Sequence, residues 1–218
     1  MIFIDDLSRR IPSAITEFQH RILLNKPQLD PALAQFPRIL SQLYWHWDHI
    51  CANSMVCAAL EFISGTAMED KDEIQRMVPH PAALNWPRFL RMKTGIAPAY
   101  SYAVFPKSHH PDTSVFVQAL PDMDDFINLG NDILSFYKEA LDGDQMTYVA
   151  FRAKITNKHP ICVVSEMVDE ITQSHERIVA ILSGHPEALK WWLTFEKGYI
   201  GWHLDLQRYK LAEIGFHM

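Results

Sequence analysis

The sequence predicts an all-α, single-domain helical bundle over residues 1–218, and three observations lead there. Proline outnumbers glycine, 13 to 8, so the chain is rich in helix stops and poor in flexible turns, whereas an all-β sandwich needs many Gly-rich turns. Between the prolines, apolar residues recur at helical spacing. Alternation with a period of two is absent over any useful length, and the strand-like run Ser101–Phe105 is hemmed by Pro98 and Pro106.

Each element follows from that punctuation. Ser13–Leu24 carries Ile15, Phe18, Ile22 and Leu23 on one stripe and predicts an amphipathic helix. Pro37 opens a long helical segment to about Gly65, with Ile39, Leu43 and Trp47, then Val56, Leu60 and Ile63. Pro87 opens another through Phe89 and Leu90. Ser114–Leu141 is long and apolar, with Pro121 near its start. Pro160 begins a helix to about Leu182, and Pro186 one to about Ile214. Residues 66–85 and 142–160 are polar and broken by Pro, Gly or charge, and read as loops.

Composition narrows the function. With 48% hydrophobic and 21% charged residues, 218 in all, the chain can bury a full core. Its net charge of -6 leaves no basic surplus for nucleic acid, so a bound anion must be met by a few placed cations or metal ions. Three cysteines without a CxxC pair argue against a disulfide framework and a structural zinc site. MIFIDDLSRR turns acidic too early for a signal peptide, and Ala52–Met68 is too short and too polar for a membrane span. The expectation is a cytoplasmic protein with no membrane and no nucleic-acid partner.

The sharpest chemical signal is NDILSFYKE. Asn131, Ser135 and Glu139 stand four residues apart and share one side of a helix. An amide oxygen, a hydroxyl and a carboxylate are hard ligands that suit Mg²⁺ and not Zn²⁺. Lys138, beside this face, reaches an anion bridged to the same metal. A solvated polar helix face is the other reading of these residues.

NDILSFYKE resembles the second metal-binding motif of class I terpene synthases, Asn/Asp-Asp-x-x-Ser/Thr-x-x-x-Glu. PRFLRMKTG resembles that family's helix-break segment, with Arg91 as the diphosphate-sensing arginine four residues before Gly95, and Thr94 between. GYIGWHLDLQRYKLAEI looks like its closing helix, with the Arg-Tyr pair at Arg208-Tyr209. The motifs keep the family's order, and with ANSMVCAALEF they resemble fungal sesquiterpene cyclases of the trichodiene synthase type over nearly the whole chain.

The resemblance implies a class I terpenoid synthase bundle that ionises farnesyl diphosphate with Mg²⁺ and cyclises the allylic cation. Asn131, Ser135 and Glu139 would hold metal, and Arg91, Lys138, Arg208 and Tyr209 would hold diphosphate. The family's aspartate-rich motif has no match. Asp5-Asp6 lacks a third acid, Glu69, Asp70, Asp72 and Glu73 fall in an expected loop, and Asp124-Asp125 share the helix of Asn131. FIDDLSRR resembles the segment just after the aspartate-rich helix, so the bundle is expected to lack its N-terminal helices. An uncovered cavity then implies an exposed apolar patch or a homodimer that hides it. The alternative function is an inactive fragment that retains a partial diphosphate and Mg²⁺ site.

Two further clusters have plainer readings. His46, Asp48 and His49 form a polar patch on an aromatic helix, and Trp45, Trp47, Phe62, Phe126 and Trp202 are core or cavity aromatics with no single substrate contact among them.

Overall fold

The computed structural model describes residue 4 and residues 8–216, so Asp5 and Asp6 lie outside the described residues. Among the described residues there are ten α-helices and no strand. We number them α1 (Pro12–Leu23), α2 (Pro31–His46), α3 (His49–Glu69), α4 (Asp72–Gln75), α5 (Trp86–Thr94), α6 (Ala97–Ala103), α7 (Leu120–Asp142), α8 (Tyr148–Thr156), α9 (Pro160–Leu182) and α10 (Pro186–Asp205). Short 3-10 turns lie at Ser8–Arg10, Thr113–Val115, Gln207–Tyr209 and Leu211–Ile214.

Seven helices carry proline in their first turn, where its missing N–H is no loss. Side-chain caps fix other starts: Asp30 accepts from Ala32 and Leu33, Asp48 from Ile50, and Thr147 from Ala150.

Four sequence expectations are corrected. Pro37 sits inside α2 and does not begin it, because the Asp30 cap and Pro31 make an earlier and stronger start. The long segment breaks at Trp47-Asp48, where Asp48 caps a new helix. Residues 66–85 are not all loop: α3 runs through Glu69 and α4 follows. Residues 142–160 contain α8, whose Thr147 cap and buried Val149, Phe151, Ala153 and Ile155 outweigh the polar flanks.

The apolar stretch around Ala52 lies in α3, which extends beyond Ala52–Met68 at both ends but is shorter than the segment expected from Pro37 to Gly65. At 21 residues, α3 is long and apolar enough to cross a membrane by length and composition. Half of that apolar window is buried, and α3 packs against α1, α5 and α6.

Helix α7 lies at the centre, against α6, α8 and α9. One of its sides joins the core of Phe105, Phe116, Met123, Ile178, Leu182 and Trp192, where the Phe105 and Phe116 rings stack at 4.2 Å. Another joins Val149, Val163 and Met167. A separate core of Ile15, Phe18, Leu33, Phe62, Ile63 and Ile96 binds α1, α2 and α3 to the start of α6. Leucine-sized side chains buried this way contribute about 1.5–3 kcal/mol each. The cores leave one polar strip at the centre, and it runs along α7.

Candidate active site

That strip is Asn128, Asp132 and Ser135, all on the otherwise apolar buried side of α7. At spacings of four and three they stack on one face. Buried polar groups need partners, and α5 supplies one for the Asp132 side chain. Arg88 grips Asp125 at 2.8 and 2.9 Å, and two turns further along α7 Arg91 meets Asp132 at 2.9 Å. Arg91 also donates to the Asn131 side-chain oxygen at 2.9 Å and the Asn128 carbonyl at 3.1 Å.

Beside these contacts is a cavity of about 230 Å³. Helix α7 lines it with Asn131, Ser135, Lys138 and Glu139, and α5 with Arg91 and Thr94. Gly95, Arg208 and Tyr209 complete the set expected from the sequence, so all nine residues border one space. Phe62 and Trp202 line it too, whereas Trp45 is exposed and Phe126 packs on Trp192 in the core.

The helix break is tightly fitted. Helix α5 ends at Thr94, whose hydroxyl donates to the Leu90 carbonyl at 3.2 Å. A Cβ on Gly95 would stand 1.9 Å from Asn128 Oδ1 and 2.8 Å from the Arg91 carbonyl, so only glycine fits. Ile96 follows in the left-handed region, φ 51°, before α6 begins. Asn128 Oδ1 is buried here without a hydrogen-bond partner.

Rings on α10 lead into the cavity. Trp192, Phe195, Tyr199 and His203 follow at centroid spacings of 5.5, 5.7 and 4.6 Å, and His203 meets Tyr209 at 4.5 Å. The Tyr199 hydroxyl donates to the Ile127 carbonyl at 2.8 Å, which fastens α10 to α7. His203 contacts the Tyr199 carbonyl at 2.8 Å and the Asn131 amide nitrogen at 3.1 Å.

Burial dominates the site's electrostatics. It pulls Arg91 down, but Asp132 and the neighbouring charges outweigh it and hold the guanidinium above its ordinary value. It pushes the Asp132 carboxyl up against the pull of Arg91. Glu139 is also pushed up by burial, with Ser135 opposing and Asp132 adding to the rise. His203 is pushed down by burial, with the Tyr199 carbonyl opposing.

Do these residues suit Mg²⁺? Asn131, Ser135 and Glu139 offer three hard oxygens to one cavity. Ser135 Oγ is buried and makes no hydrogen bond of ordinary geometry, and the Glu139 carboxyl stands in surroundings that favour neutralising it. A cation among them would satisfy both, so the donor set fits. Among the described residues no group of three His, Cys, Asp or Glu side chains has metal-binding geometry.

Sequence reasoning did not single out Asn128, Asp132, Tyr199 or His203. The first two carried a signal, polar residues at helical spacing on an apolar face. The last two carried none, because their roles come from α10 crossing α7.

Known proteins are similar to this chain in sequence. The terpene synthase BipA of Cochliobolus sativus is 32% identical over 196 residues, 89% of this chain and 60% of that protein. The alpha-cuprenene synthase COP6 of Coprinopsis cinerea is 29% identical over 215 residues, 99% of this chain and 65% of that protein. The trichodiene synthase of Fusarium sporotrichioides is 26% identical over 187 residues, covering 82% and 47%. The chain thus spans about 60% of the length of BipA. The family model described as trichodiene synthase (TRI5) matches residues 1–217, and the chain belongs to that family.

Proposed function

We propose that this chain carries a diphosphate- and Mg²⁺-binding site of a sesquiterpene cyclase, and that the protein ionises farnesyl diphosphate, cyclises the allylic cation and releases diphosphate. The observation that carries this reading is the single cavity bordered by all nine residues that the family resemblance marks. The names of BipA and COP6 support the reaction class.

Asn131, Ser135 and Glu139 are the metal ligands in this reading. These residues would hold a Mg²⁺ ion, whose chemistry there would be Lewis-acid neutralisation of the diphosphate charge. Arg91, Lys138 and Arg208 present cations to the anion, the arginines through forked N–H donors, and the Tyr209 hydroxyl donates a further hydrogen bond. Phe62, Tyr199 and Trp202 give the cavity an aromatic wall that excludes water and attracts a passing carbocation through its ring faces. The released diphosphate can itself accept the final proton, so no neutral-pH side-chain base is required.

The competing reading, a fragment that binds diphosphate but does no chemistry, is favoured by two observations. Among the described residues Glu139 is the only carboxylate lining the cavity, and its volume is below the ~300–1,000 Å³ usual for ligand pockets. Incubation with farnesyl diphosphate and Mg²⁺, followed by gas chromatography, separates the two. Hydrocarbon product that disappears in Glu139→Gln supports the cyclase. Pyrophosphate binding without product supports the fragment, and absence of both overturns the site.

A further inference from the structure

We propose that His203 is a positioning residue that sets which end of the Asn131 amide faces the Arg91 side of the cavity. This rests on the reading of Asn131 as a metal ligand through its side-chain oxygen.

His203 Nδ1 lies 2.8 Å from the Tyr199 carbonyl, one turn back on α10. A carbonyl only accepts, so Nδ1 must carry the proton. The ring is buried, with 1% exposure, and its other nitrogen, Nε2, faces an amide nitrogen that only donates, so Nε2 is the acceptor. Nε2 lies 3.1 Å from the Asn131 amide nitrogen and takes one of its protons. At the other end of the amide, Arg91 is purely a donor and lies 2.9 Å from Oδ1. Rotating the amide by 180° would set donor against donor at Arg91 and acceptor against acceptor at His203. Two partners from two helices thus select one orientation, and the Tyr199 carbonyl selects the tautomer that makes this possible.

The rest of the surroundings hold the ring still. Tyr199, Trp202 and Tyr209 contact it at centroid distances of 4.6, 4.9 and 4.5 Å. His203 therefore acts on the metal through Asn131, as outer partners of metal ligands do elsewhere.

The test uses the 218-residue chain with Mn²⁺ and inorganic pyrophosphate, bound Mn²⁺ being counted by electron paramagnetic resonance. His203→Phe keeps the ring packing and removes the acceptor, and it should weaken Mn²⁺ binding about tenfold or more. His203→Gln places an acceptor oxygen near the old Nε2 position and should restore most of the affinity. Wild-type affinity in His203→Phe overturns the proposal and leaves the metal site standing. Equal losses in His203→Phe and His203→Gln also overturn it. Absence of Mn²⁺ binding in the unaltered chain defeats the metal reading and this proposal with it. Nitrogen-15 chemical shifts of the wild-type imidazole give a readout that no folding defect can mimic. A proton on Nδ1 is expected, and a proton on Nε2 alone overturns the proposal even if His203→Phe fails to fold.

Discussion

Arg91 on α5 and Asp132 on α7 form an ion pair at 2.9 Å with side chains only 15% and 9% exposed. Removing one partner strands the other in the interior. Asp132→Ala or Arg91→Ala should each lower stability by about 3–5 kcal/mol, read from urea unfolding. The double change Arg91→Met with Asp132→Leu should recover most of that loss while still failing to bind pyrophosphate. A double variant as unstable as the singles would show that the pair does more than neutralise itself.

Gly95 gives a steric test. Its Cα faces Asn128 Oδ1 so closely that Gly95→Ala must displace the amide and press on the Arg91 carbonyl. Overpacking of this kind costs about 1–3 kcal/mol. Adding Asn128→Ala should relieve the side-chain clash and return part of the stability, which thermal melts of the two variants would detect. No relief would place the clash with the backbone.

Asp124 carries a pH dependence. Burial raises its pKa from 3.8 to about 6, although the Ser101 hydroxyl, 2.6 Å away, opposes the rise and Asp125 adds to it. The folded protein thus holds this proton more tightly than the unfolded chain does. Stability from the protonated form is present in full below about pH 4 and is lost as pH climbs through about 6. Asp124→Asn keeps an acceptor for Ser101 and never ionises. It should match wild type below pH 4 and exceed it by about 1–3 kcal/mol at pH 7. A stability difference that does not change with pH would contradict the assignment.

The proposed metal ligands predict a synergy. One carboxylate facing the cavity holds Mg²⁺ weakly, since that ion is usually bound by one or two carboxylates together with substrate phosphates. Calorimetry should find weak binding of Mg²⁺ alone and much tighter binding with pyrophosphate present. Ser135→Ala and Glu139→Gln should each reduce the joint affinity about tenfold or more, with little change in melting temperature. Tight Mg²⁺ binding without the anion would point to ligands outside this set.

Legibility in the sequence followed the range of the interactions. Prolines at first turns act locally, so the starts of α9 and α10 were readable from Pro160 and Pro186, whereas α7 begins at Leu120 and not at the expected Ser114. The inner position of Pro37 and the existence of α8 were not, because both depend on capping by Asp30 and Thr147 and on burial against distant helices. Asn131, Ser135 and Glu139 share a face by helix geometry alone. Their meeting with Arg91, Gly95 and Arg208 depended on family resemblance, since spacing along a chain says nothing about where α5 and α10 cross α7. His203 escaped notice for the same reason. Its role is defined by a carbonyl one turn behind it and an amide on another helix.

Ile96 at the helix break has a mechanical consequence. A β-branched residue at φ 51° lies outside the comfortable range for L-residues, a penalty of roughly 1–2 kcal/mol. Its side chain is nevertheless buried beside Phe62 and Ile63, and that burial offsets the penalty. Glycine would turn the chain here with less strain, but it would leave a swivel. With isoleucine anchored in the core, bending at this point requires pulling an apolar side chain into water. The joint between α5 and α6 therefore behaves as a rigid elbow that fixes the angle between the two helices.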